Sequence, residues 1–350
     1  MPDSAQHHYQ EWQSGPERSA ELDRTLELNP RYTAAWIARG LAAEMAGNRK
    51  LAEASLRRAA QINRMYLPAW TLANFYLRAG DPAQFWIWAR RAAEMAYEPS
   101  ALFQLLWRVS NDPREIAEKA IPAAPPARRA YLDFLLRTNR LGPAEAAAED
   151  LSRTATAADL DRLLRYCDMA LAGNQLGRAR EIWGGLQTAG LIGGKAGSTL
   201  TNGDLAAPPL GRCFDWRSNE MAGVAVSFDP TSRELLVSLS GKQPQASDLV
   251  EQYLVLQPGA TYRFGFAHRP HDVPAESGLA WSFVDARGGG EFARIAVDGP
   301  AGGWSGQTLE FAAPTDGGLA RILLRYHRPV GGARVEGAVE FGRFSLEEAR

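Results

Sequence analysis

Lysine is almost missing from this chain: of 39 basic residues, only Lys50, Lys119, Lys195 and Lys242 are lysines. The arginine bias reflects genomic base composition more than a binding adaptation. With a net charge of -1 at pH 7, no global field draws the chain to nucleic acid or to an anionic membrane, and neither is expected as a partner. Cysteine is as scarce. Cys167 and Cys213 fall on opposite sides of the domain boundary argued below. A bridge would need one specific inter-domain geometry, so both are expected as free thiols. Such scarcity suits the cytosol, and equally a periplasmic chain whose cores need no staples. No apolar run approaches the roughly 18–20 residues that span a bilayer, and residues 1–9 have neither a basic n-region nor an apolar h-region, so no signal peptide is expected in this chain.

Catalytic signatures are also lacking. There is no Gly-x-Ser-x-Gly and no Gly-x-Gly-x-x-Gly behind a strand, and two of the five histidines are His7 and His8. No nucleophile, base and acid suggest a set, so the expectation is a protein that is not an enzyme. Gly194-Lys195 fails as a phosphate loop, because Ala189 and Ala196 stand where a Walker A motif needs Gly and Ser or Thr. A glycan-active hydrolase with two converging carboxylates is the one enzymatic alternative kept open.

What is present is a repeat. Ala35-Trp36 returns as Ala69-Trp70, Ala46-Gly47-Asn48 as Ala79-Gly80-Asp81, and Arg57-Arg58-Ala59-Ala60 as Arg90-Arg91-Ala92-Ala93, at separations of 33 to 34 residues; Ala172-Gly173-Asn174 echoes the turn once more. This period, with Trp36, Gly40, Gly47, Ala52, Leu56 and Ala59 at their places, resembles the tetratricopeptide repeat (TPR). Gly40 and Ala52 should let two helices approach closely while Trp36 and Leu56 fill the gaps around them. The next repeat inverts the sizes, with Phe85 for Ala52 and Ala89 for Leu56. A third unit places Phe103 and Leu106 against Ile116 and Ala120, with Asp112-Pro113 starting its second helix. Three prolines in residues 121–126 then interrupt the array, and helical spacing resumes at 127–140, 144–151, 158–172 and 177–186. Counting back one period, the first repeat opens before residue 1, which leaves residues 1–13 as a frayed half-unit or as the end of a longer chain. The resemblance implies a curved helical stack with a protein partner on its concave surface.

Residues 188–200 are rich in Gly, Ala, Ser and Thr and are expected to link residues 1–187, a TPR-like helical domain, to residues 201–350. From there strand signals recur at 221–228, 234–240, 249–257, 261–268, 279–285, 292–297, 307–311, 319–327 and 334–346, with Tyr262, Phe264 and Phe266 alternating against Thr261, Arg263 and Gly265. The expected fold class is therefore α + β multidomain: an N-terminal α-solenoid, then an all-β jelly-roll sandwich.

Asn202-Gly203-Asp204-Leu205, Gly211-Arg-Cys-Phe-Asp-Trp216, Gln252 before Pro258-Gly259-x-x-Tyr262, Arg269, and Ser277-Gly278 before Trp281 resemble the jelly-roll carbohydrate-binding modules related to families 4 and 9. The resemblance implies that the Asn-Gly segment begins the first strand, although Leu205 stands where an aromatic is usual. Such a module behind TPR-like repeats is similar to proteins of bacterial exopolysaccharide and O-antigen clusters. This similarity implies a cell-envelope setting if an upstream segment exists, and the cytoplasm otherwise.

Sugar faces need flat apolar surface and sugar hydroxyls need planar polar groups, so the candidate glycan ligands are Trp304, Trp281, Trp216, Tyr326, Gln252, Arg269 and Arg325. Trp304 sits in a Gly-rich loop, whereas Trp281 alternates with Leu279 and Phe283 as a core residue would, and Trp216 could instead pack one domain on the other. His268-x-x-His271-Asp272 has partial metal-ligand spacing with nothing to complete it. The module resemblance implies a structural Ca²⁺ near the first strand, for which Asp204 and Asp215 are candidates; no other cofactor or metal is expected. The expectation is a non-catalytic adaptor that binds protein through its helices and glycan through its sandwich. The alternative is a purely structural interaction module without a ligand site.

Overall fold

A computed structural model describes residues 4–15, 19–96, 98–274, 276–299, 302–316 and 318–349. Twelve α-helices among these residues are followed by ten strands in two antiparallel sheets, an α-helical half and a jelly-roll sandwich as expected. By compactness the chain divides into Met1–Ala147 and Ala148–Arg350. The change from helix to strand falls later, between Thr188 and Arg217, so the last two helices belong with the sandwich in the second unit.

The first unit holds α1 (Ala5–Ser14), α2 (Ser19–Leu28), α3 (Thr33–Met45), α4 (Arg49–Ile62), α5 (Tyr66–Arg78), α6 (Pro82–Met95), α7 (Ser100–Val109), α8 (Pro113–Ala120), α9 (Pro125–Arg137) and the start of α10 (Leu141–Ser152). Residues 5–14 are a capped helix, not a frayed one: the Ser4 hydroxyl accepts from the His7 amide, and Tyr9 packs on Tyr32 with ring centres 5.2 Å apart. Gly40 does admit close approach. A Cβ there would stand 2.6 Å from Leu56, which is itself buried beside Ala52. Phe85 and Ala89 are both fully buried, consistent with a size exchange between successive hairpins. The proline run interrupts less than expected. Pro125 and Pro126 open α9, because a first-turn residue needs no amide hydrogen, and only residues 121–124 are non-helical.

The hairpin turns share one device. Gly47 and Gly80 have positive φ, and the amides of Asn48 and Asp81 reach back to the carbonyls of Ala43 and Tyr76. Asn48 and Asp81 then cap the next helix through the amides of Leu51 and Gln84. At the echo of this turn the register is one residue off the sequence match. Asn174, with φ 58°, takes the left-handed place, the Gln175 amide bonds Ala170, and Gly173 is merely the preceding helix end. Asparagine tolerates that conformation, so the Ala-Gly-Asn identity at 172–174 aligned the wrong pair.

The second unit contains α11 (Leu160–Ala172) and α12 (Leu176–Thr188), then β1 (Arg217–Ser218), β2 (Val224–Asp229), β3 (Glu234–Ser240), β4 (Ala246–Val255), β5 (Thr261–His271), β6 (Leu279–Asp285), β7 (Glu291–Ala296), β8 (Ser305–Ala312), β9 (Leu319–His327) and β10 (Glu336–Glu348). One sheet runs β1-β4-β9-β6-β7 and the other β2-β3-β10-β5-β8. Phe264, Phe283, Phe341, Trp216, Trp281 and Tyr326 fill the space between them. Every expected strand is present. Residues 201–216 are the exception, since they form turns and not the start of a strand. That segment is tied down by side chains instead: Gln252 accepts from the Thr201 amide and donates to the Thr201 carbonyl, while Asn202 does the same for Ala207. The Phe344 amide bonds the Gly203 carbonyl, which joins the segment to the final strand.

The same segment grips α11. Arg212 pairs with Asp168 and Asp161, the Cys213 amide donates to Asp168 Oδ1, and the Cys213 thiol lies 3.1 Å from the Leu164 carbonyl. Cys167 and Cys213 are unbridged and buried, and both lie in the second unit. Among the described residues, no helix is long and apolar enough to cross a membrane.

Candidate functional site

The seven candidate glycan ligands fall in three places. Trp216, Trp281, Tyr326 and Gln252 lie in the core at 0 or 1% exposure, which removes them as ligand contacts. Each has a structural partner. Trp216 Nε1 donates to the Asn202 carbonyl, Trp281 meets Trp216 and Phe344 edge-on, the Tyr326 hydroxyl accepts from the Val335 amide, and Gln252 holds Thr201. Arg325 follows the outward parity of β9, opposite to Tyr326, and is paired with Asp248 at 2.8 Å and Glu291 at 3.2 Å. Arg269 and Trp304 come together on the outer face of the other sheet, the guanidinium 5.1 Å from the indole centre.

That outer face follows from strand alternation. Along β5, Tyr262, Phe264, Phe266, His268 and Pro270 are buried, so Arg263, Gly265, Ala267, Arg269 and His271 face the other way. Register places Gly306, Ala267 and Gly342 side by side across β8, β5 and β10, and Thr308, Gly265 and Ser345 in the next row. Six small residues thus make a low strip on this face, a trough only relative to the larger side chains at its two ends, with Ala267 and Gly342 themselves buried. Trp304 stands over it, with its ring edge 3.8 Å from where a Gly342 Cβ would be and 37% of the residue exposed. A bulge between Gly342 and Ser345, with Arg343 at φ 55°, bends β10 beside that floor.

Charge is concentrated at the two ends. At one, Arg269 pairs with Glu340 on the adjacent strand, and His271 Nε2 lies 3.2 Å from the same carboxylate oxygen. Burial opposes ionisation of Glu340, but the hydrogen bonds from His271 and Arg269 outweigh it and hold the carboxyl below its ordinary range. At the other end Arg263 pairs with Glu310 at 2.7 Å. Glu340, His271 and the small floor are the part of this surface that was not singled out as glycan ligands in the sequence. The only local signal was the parity of residues 334–346 and 261–271, which gives a face but not a neighbour.

The remaining candidates do not converge. His268 lies in the core beside Phe266, and burial holds its imidazole below the ordinary value, whereas His271 faces outward to Glu340. Asp215 is buried and accepts from the Leu210 and Trp216 amides; burial pushes its carboxyl up despite those bonds. Asp204 is exposed and sits 4.0 Å from Arg233.

No family model matches the chain, and no curated protein matches its sequence. Among solved structures, a CBM4 module overlaps 43% of this chain and 99% of its own length at 12% identity and TM-score 0.34. A second, TmCBM61 in complex with β-1,4-galactotriose, overlaps 43% and 99% at 19% identity and TM-score 0.27. A third, PilW, a type IV pilus biogenesis factor, overlaps 52% of this chain and 90% of its own at 21% identity and TM-score 0.24.

Proposed function

We propose that the protein is a non-catalytic scaffold whose sandwich binds glycan in the trough of the β2-β3-β10-β5-β8 sheet and whose TPR-like helices bind a protein partner. Its setting in this proposal is bacterial polysaccharide assembly or export. The exposed Trp304 indole carries the glycan limb: it offers an apolar face beside a floor of small residues, with the planar groups of Arg269, Glu340 and His271 next to it. An indole suits the apolar face of a pyranose, and the charge-assisted fork suits vicinal hydroxyls. From Arg269 to Arg263 the strand runs about 20 Å at about 3.4 Å per residue, room for a short oligosaccharide lying along β5.

The test is calorimetric titration of the full chain against a panel of bacterial polysaccharides and their oligosaccharides, alongside Trp304→Ala. Saturable binding that the variant loses supports the glycan limb, and silence across the panel from a folded protein rejects it. The rival, a sandwich used only as an interaction surface, is favoured by the burial of Trp216, Trp281, Tyr326 and Gln252. It prevails if no glycan binds while Trp304→Ala weakens capture of a protein partner.

A further inference from the structure

A cavity between α12 and the chain that follows it has no part in the function proposed above. Its volume is 310 Å³, and its lining includes Gly177, Arg180, Trp183, Gly184 and Ser198. That volume is at the small end of ligand pockets, about 300–1,000 Å³. Gly177, Arg180 and Gly184 recur on one face of α12, and open space lies where a Cβ would stand at Gly177, Gly184 and Gly197, so no side chain at these positions fills the hollow.

Arg180 is half-buried, yet no carboxylate pairs with it among the described residues. Its one hydrogen bond there is a 3.5 Å contact from Nη2 to the Ser198 carbonyl. A guanidinium stays charged and presents five donors in a planar fork, so most of this fork is unmatched. Burial also holds it below the ordinary guanidinium range. Glu181 lines the cavity as well, but it is paired with Arg178 at 2.6 Å. Trp183 is 3% exposed, and its Nε1–H is buried with no acceptor among the described residues. An unpaired cation borders this hollow, and the residue that carries the buried, unmatched donor lines it as well; both donors call for an acceptor carrying negative charge.

We propose that this cavity binds a small ligand through an oxyanion, with the Arg180 fork as counter-charge and Trp183 Nε1–H as a second donor. Gly197 and Ser198 of the glycine-rich segment form part of its wall. The anion is thus held by side chains of α12, in contrast to the backbone cradle of a phosphate loop, for which the spacing at Gly194-Lys195 is wrong.

The experiment titrates the full-length chain with inorganic phosphate, with sodium glucuronate and with neutral glucose at constant ionic strength. Heat of binding is the first readout, and the Trp183 indole ¹⁵N–¹H resonance, assigned by Trp183→Phe, is the second. Saturable binding of an anion without binding of glucose is expected, with a shift of the Trp183 resonance and at least a tenfold loss in Arg180→Gln and in Gly184→Leu. Phosphate alone would mark a phosphate ester, glucuronate alone an acidic sugar, and both a general oxyanion site. Trp304→Ala should bind these anions as the wild type does, which separates this site from the trough. The proposal is overturned if neither anion binds saturably, if the variants bind as the wild type does, or if the wild-type indole resonance stays put at saturation. The last criterion holds even where a variant fails to fold.

Discussion

Arg269 and Glu340 face each other across β5 and β10, and their ion pair places the Arg269 guanidinium 5.1 Å from the Trp304 ring centre. Trp304 is more than a third exposed and touches this cation, so Trp304→Ala should cost no more than about 1 kcal/mol of stability. It should nonetheless weaken glycan affinity at least tenfold, or about 1.4 kcal/mol. Urea unfolding and calorimetry on the same sample separate the two effects.

Arg269→Gln should weaken glycan binding with a different signature. It leaves the indole but frees Glu340 from its fork partner, so affinity should fall for sugars with vicinal hydroxyls and little for a deoxygenated analogue. Equal losses for both sugars would show that Arg269 only props the Trp304 ring.

Glu340 gives a pH dependence whose sign is fixed. Its folded carboxyl is held below the ordinary range, so the unfolded chain binds the proton more readily. The stabilisation is present above the ordinary carboxylate range and is lost as pH falls through the lowered folded value. Glu340→Gln should flatten this acid slope, by at most about 1 kcal/mol because water reaches the pair. Urea midpoints between pH 7 and pH 3 check it, and a variant with an unchanged slope would show that the ion pair contributes nothing.

Gln252 is fully buried and satisfies both backbone groups of Thr201. Gln252→Leu would leave that amide and carbonyl unmatched and should destabilise the protein by about 1–3 kcal/mol. Glycan affinity per folded molecule should be unchanged, as measured by calorimetry corrected for the folded fraction.

Gly40→Ala tests the helical packing. Alanine favours a helix by about 1 kcal/mol over glycine, but its Cβ would stand 2.6 Å from Leu56, and overpacking costs about 1–3 kcal/mol. The variant should be less stable by thermal unfolding, and Leu56→Ala in that background should cost less than Leu56→Ala alone.

Local rules carried most of the fold. The 33–34-residue period, the Asp112-Pro113 helix start and the nine strand signals were each legible in the sequence, the last two because they rest on neighbours a few residues apart. Alternation also placed Trp281 with Leu279 and Phe283, and correctly favoured the core for it. What composition could not separate is a tryptophan in the core from one at the surface where no alternating run surrounds it, as at Trp216 and Trp304. It also could not align the Asn174 turn, because the choice of left-handed residue depends on where the helix hydrogen bonds run out.

The sequence by itself determined the two architectures and the hydrophobic faces, because periods of 3.6 and 2.0 are properties of the backbone. Only the tertiary structure decided that Glu340 and Gly342 stand beside Arg269 and Ala267, residues about 70 positions away, since strand register is set by the packed sandwich as a whole. It likewise decided that residues 201–216 are a knot clamped by Gln252, Asp215 and α11, because a chain without ladder partners satisfies its backbone with whatever side chains the fold brings near.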